Sequence, residues 1–126
     1  MANETKISLP AGTRPPHLIT LDEVVGGAVY ELAHSGWDGS CFWSESSRYL
    51  TDDAEGLPVL LPFFYEGPVP DFHWDGPNRI ELSAWDEIRE LAFATNEPYF
   101  TQVFDEVEAW LTEEDRGAGY FWILGI

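Results

Sequence analysis

Five consecutive residues, Asp71-Phe72-His73-Trp74-Asp75, crowd two carboxylates, an imidazole and an indole into the proline-rich stretch GPVPDFHWDGPN. General acid–base chemistry needs a carboxyl in an apolar pocket with its pKa raised, set against a second one that stays ionised. This pair has the composition for it. A small enzyme or ligand-binding domain centred on the 71–75 loop would show a deep pocket there. The simpler reading is an ordered surface loop. Elsewhere, reactive groups are sparse. His17, His34, His73 and Cys41 are the only soft or borderline metal ligands, and no pair of them has the short spacing of a zinc site. The acidic turns DDAEG and DGPNRIE lack the ligand order of an EF-hand. Ser40, Cys41, Ser44, Ser46 and Ser47 lie close together without a G-x-S-x-G elbow, a Cys–His signature or a Walker loop. No catalytic residue, metal or cofactor is assigned, and the chain is not read as an enzyme.

Charge is the strongest signal. The 126 residues hold 23 acids against 6 Lys and Arg, for a net charge of -17. The acids are not held in a tail: residues 21–75 have eleven acids and one base, and residues 76–126 eleven acids and three bases. Such a surface repels nucleic acid and anionic membranes and attracts basic proteins. Like charges one helical turn apart cost a few tenths of a kcal/mol each, and almost no lysine is interleaved to relieve them. Self-repulsion on this scale calls for an offsetting use. A basic partner protein is the first candidate, generic solubility or a halophile-like proteome the second, and mimicry of nucleic-acid phosphate the third. Aromatics beside acidic turns fit the first, because Trp and Tyr flanked by carboxylates anchor Arg and Lys of a partner. The predicted partner-binding set is Asp38, Glu45, Asp52, Asp53, Glu55, Glu66, Asp71, Trp74 and Asp75.

These residues must be positioned by a single domain, 1–126, whose first sixteen residues read as an extended leading segment. With one cysteine no internal disulfide is possible, and no apolar run resembles a signal peptide or a membrane span, so a cytoplasmic location is expected. KISL suggests a short strand. Thr20 and Glu23 form a capping box ahead of Leu21, Val24, Val25, Ala28 and Leu32, which predicts a helix ending near Gly36, weakened at Gly26-Gly27. CFWS and RYLT read as strands around a turn, with DDAEG as the next turn. LPVLLPFFYEG reads as an edge or broken strand, because Pro58 and Pro62 cannot donate to a ladder. NRIELS reads as a strand. A helix capped by Ser83 carries Trp85, Ile88, Leu91 and Ala92. A second, from Pro98 to about Asp115, carries Phe100, Val103, Phe104, Val107, Trp110 and Leu111. Residues 120–126, YFWILGI, have no charge and follow a Gly turn, which predicts a strand buried on both faces.

The fold class is therefore α+β: a mostly antiparallel sheet of four or five short strands against two or three helices. The expected function is a small cytosolic acidic inhibitor that binds and occludes a basic protein, in the manner of a bacterial immunity or antitoxin protein against a toxin such as a nuclease. A phage-type DNA mimic acting on restriction or CRISPR machinery is the second reading, and the enzyme or ligand-binding domain at the 71–75 loop the third.

Overall fold

The computed structural model describes residues 14–26 and 28–125. Strands β1 (Val29–Ala33), β2 (Arg48–Thr51), β3 (Pro77–Glu81) and β4 (Tyr120–Gly125) form one antiparallel sheet in the order β2-β1-β4-β3. Helices α1 (Leu61–Tyr65), α2 (Leu82–Phe93), α3 (Thr101–Trp110) and α4 (Glu113–Ala118) complete the α+β arrangement. No helix among the described residues is long and apolar enough to cross a membrane.

Strand periodicity sorts the side chains into two layers. Tyr30, Leu32, Leu50, Ile80, Phe121 and Ile123 face the helices and join Trp85, Ile88, Phe104 and Val107 in the core. The uncharged C-terminal run is the central strand expected: β4 lies between β1 and β3, so its backbone is bonded on both sides. The far face of the sheet is covered by the loop between β1 and β2. There Trp37 packs 5.2 Å from Trp122, and Trp43 stacks on Tyr49 at 5.6 Å. Glu31, only 1% exposed in mid-strand, accepts bonds from the amides of Trp43 (2.9 Å) and Ser44 (3.2 Å) and from the Tyr49 hydroxyl (3.2 Å). A buried carboxylate thus holds the covering loop down.

Five expectations are corrected. The helix predicted after Thr20 is a single 3-10 turn, Leu21–Glu23, followed by β1. The capping box is present, but Gly26 takes a positive φ of 53°, and the Val- and Tyr-containing VYELA segment gains more from full burial in the sheet than from helical spacing. CFWS forms no strand; Trp43 has a φ of 61°, outside the β region. LPVLLPFFY is not a broken strand but a 3-10 turn, Leu57–Val59, leading into α1, with Pro58 and Pro62 each in a first turn, where a missing N–H costs nothing. The last long helix divides: α3 stops at Trp110, and α4 starts behind its own Thr112–Asp115 capping box. Glu113, Glu114 and Asp115 therefore sit at a helix N-terminus, where the dipole favours them, and not at the C-terminus predicted. Ser83 lies inside α2, whose N-cap position is Glu81. The KISL segment lies outside the described residues.

Candidate interaction surface

Antiparallel order brings the start of β1, the end of β2, the start of β3 and the end of β4 to one end of the sheet, since Val29 pairs with Thr51, Tyr30 with Gly125, and Pro77 with Leu124. The connections leaving that end hold most of the predicted partner-binding residues. Asp52, Asp53 and Glu55 follow β2, and Asp71, Trp74 and Asp75 precede β3. Glu66, at the C-terminus of α1, is beside Tyr65, whose ring lies 6.4 Å from that of Phe72. Asp38 and Glu45 lie instead in the β1–β2 loop at the opposite end. Nine residues predicted as one surface thus separate into a group of seven and a remote pair.

The loop that carries Trp74 is fixed. Phe72 is buried against Tyr30 and Phe64. The Asn78 side chain accepts from the His73 amide and donates to the His73 carbonyl, both at 2.8 Å, and also reaches the Ile123 carbonyl at 3.2 Å. Gly125 lets the loop approach β4 closely: a Cβ there would lie 1.9 Å from the Trp74 carbonyl oxygen. On this anchored turn Trp74 is 70% exposed. A large apolar ring exposed to water on an anchored backbone is unusual on a monomer surface and marks a contact site when polar groups rim it.

Here they do. Trp74, Asp75 and Asp52 line one cleft of about 170 Å³ with Val29, Tyr30 and Gly125. The Tyr30 hydroxyl stands 3.5 Å from Asp52 Oδ1. Burial, and then the neighbouring Asp52 carboxylate, push that hydroxyl above its ordinary pKa. Asp71 and His73 are exposed on the same loop.

Three of the other predicted acids are engaged locally. Asp53 accepts from the Thr51 hydroxyl (2.7 Å) and the Glu55 amide (2.9 Å). Glu55 accepts from the Arg14 amide at 3.3 Å. Asp38 accepts from the hydroxyl and the amide of Ser40, which hold its carboxyl below the usual range.

The opposite end contains a buried polar cluster that the sequence reading missed. Asp115, fully buried, accepts from His34 Nδ1 (2.6 Å), the Ser35 amide and hydroxyl (both 2.8 Å) and the Thr112 amide (3.2 Å). Burial alone would raise its pKa; the bonds from Ser35, His34 and Thr112 outweigh this and hold it below the usual range. His34 stacks on Trp110 at 4.1 Å. His17 is buried elsewhere against the Pro15 carbonyl, and His73 is exposed, so the three histidines occupy separate sites. Among the described residues no three His, Cys, Asp or Glu side chains could hold a metal ion together. The T-x-x-D capping pattern at 112–115 was a readable signal for Asp115. Tyr30 in the cleft had none, because its segment carried a helical pattern.

Comparison of the chain with known protein families, with curated proteins and with solved structures finds no match to any of them.

Proposed function

We propose that this protein is a small acidic inhibitor that binds a basic protein and occludes its working surface, in the manner of a bacterial immunity or antitoxin protein acting in the cytoplasm on a toxin such as a nuclease. The observation that carries this reading is Trp74, exposed on an anchored turn in a cleft shared with Asp52 and Asp75, on a chain of net charge -17. Long-range charge would steer a basic partner to the acidic body and raise the association rate, and the anchored indole would slow its release. An exposed hydrophobic anchor costs solubility, and a charge of this size costs stability through self-repulsion, so a binding role accounts for both together. Carboxylates at the sheet end would occupy the cationic cleft where a nuclease holds phosphates.

The test is affinity capture with the full chain on host lysate, salt elution, identification of the eluate, and titration of the purified partner's activity. The reading predicts one basic protein leaving at a defined, high salt concentration and losing activity at one equivalent of inhibitor. Many basic proteins leaving together at moderate salt would mean that the charge is generic, because exposed charges beyond about 10 Å are screened at 0.1 M. The inhibitor reading would then be lost.

A further inference from the structure

We propose that the sheet-end cleft is a receptor for one arginine side chain of the basic partner, held between the Trp74 indole and the Asp52 and Asp75 carboxylates; this rests on the inhibitor reading above. Three observations converge on that side chain.

The first is unspent charge. Neither Asp52 nor Asp75 is paired with a cation among the described residues, although they line one cleft. The arginines of the body are committed elsewhere: Arg79 to Glu81 and the face of Tyr120, Arg89 to Asp86, and Arg116 to Glu108. Arg48 donates to the Ser47 carbonyl. These four arginines leave the cleft free for a cation from outside.

The second is shape and chemistry. The cleft is of side-chain size, about 170 Å³, and an aromatic residue, Trp74, and two acidic ones, Asp52 and Asp75, are among those that line it. A guanidinium is planar, stacks on an indole and donates in a fork to carboxylate oxygens, whereas an ammonium answers only the charge. The Tyr30 hydroxyl, close to one oxygen of Asp52, leaves the other open. A second copy of this chain, or a nucleic acid, would bring negative charge to a negative site.

The third is preorganisation. Asn78 pins the loop at both backbone groups of His73, and Phe72 anchors it in the core, so the receptor is formed before the ligand arrives. Little ordering is left to oppose binding.

The experiment is a two-dimensional NMR titration of the full chain at physiological salt with acetyl-Gly-Arg-Gly-amide, and with its lysine and citrulline counterparts. The expected result is saturable shifts confined to Val29, Asp52, Asp75, Gly125 and the Trp74 indole N–H. Binding should be several-fold weaker with lysine and absent with citrulline. W74A and D52N/D75N, whose changes are at exposed positions and leave the spectrum of the folded body intact, should abolish the shifts. D38N/E45Q at the far end should retain them. Shifts scattered over both ends, equal binding of lysine and arginine, or an unaltered W74A would overturn the proposal.

The two levels fail separately. A captured basic partner that binds W74A as tightly as wild type removes the arginine receptor and leaves the inhibitor; loss of about thirtyfold or more is expected for a central aromatic anchor. Conversely, a cleft that takes the arginine peptide in a protein that captures no basic partner removes the inhibitor and leaves the receptor.

Discussion

Replacing Asp115 with alanine should cost this protein a large part of its stability. Its carboxylate accepts four hydrogen bonds, from Ser35 N and Oγ at 2.8 Å, His34 Nδ1 at 2.6 Å and Thr112 N at 3.2 Å. It is fully buried, so water cannot replace it. A net hydrogen bond contributes about 1 kcal/mol, and a buried donor left unpaired costs about 1–3 kcal/mol. The four together give a loss of about 3–5 kcal/mol, the size seen when one partner of a buried pair is removed. Natural domains hold only about 5–15 kcal/mol in all. With a urea slope of about 1.5 kcal/mol per molar, the midpoint should fall by about 2–3 M. Trp110 stacks on His34 and donates to the Ser46 carbonyl at 2.9 Å, so tryptophan emission reports directly on this region. D115N keeps one acceptor oxygen and should lose about half as much. The pH dependence supplies a second signature. The folded pKa of Asp115 is depressed, so its contribution is complete above the ordinary value of 3.8 and is lost as pH falls through the folded value. The stability difference between wild type and D115N should therefore shrink in strong acid. A D115A midpoint within about 0.5 M of wild type, at an unchanged slope, would refute the assignment of four satisfied bonds to this carboxylate.

Other outcomes follow from the same physics. Truncation after Gly119 removes the strand between β1 and β3 and should abolish the cooperative urea transition and the dispersed NMR spectrum. G125A places a methyl 1.9 Å from the Trp74 carbonyl; it should displace the loop and lower stability by about 1–3 kcal/mol, as overpacking does, with chemical-shift changes concentrated at residues 72–76. E31A releases the Trp43 and Ser44 amides and the Tyr49 hydroxyl, so proteolysis within 36–47 should accelerate while α2 and α3 keep their hydrogen-exchange protection. Raising salt from about 10 mM to 150 mM shortens the screening length from about 30 Å to 8 Å and should raise the melting temperature of a chain with net charge -17; a fall would mean that attractive pairs outweigh the repulsion.

How much was legible depended on whether the signal was local. The apolar face of α3 and the Trp85–Ile88–Ala92 stripe of α2 repeat at helical spacing, and both helices form, although Leu91 is exposed and α3 stops at Trp110, short of the predicted end. VYELA follows the same spacing in outline and still becomes β1, because a central place beside β4 buries all five residues. LPVLLPFFY has a strand-like composition, yet it turns helical where its leucines and phenylalanines can fill the space under the sheet. In the candidate site, the sequence singled out Asp52, Trp74 and Asp75, but nothing local placed Asp52 beside a loop more than twenty residues away. Tyr30 entered the cleft only because β1 is a strand.

By itself the sequence determined composition-borne properties: a strong net acidity, an α+β class, two amphipathic helices and an uncharged final strand. These follow from charge counts and from periodicities that act over one or two turns of chain. Tertiary structure decided which acids became buried supports, as Glu31 and Asp115 did, and which stayed on the surface with no cation partner among the described residues, as Asp52 and Asp75 did. Burial and pairing depend on which segments meet in space. A carboxylate carries the same charge in every context, and only its neighbours make it a structural acceptor or a free one.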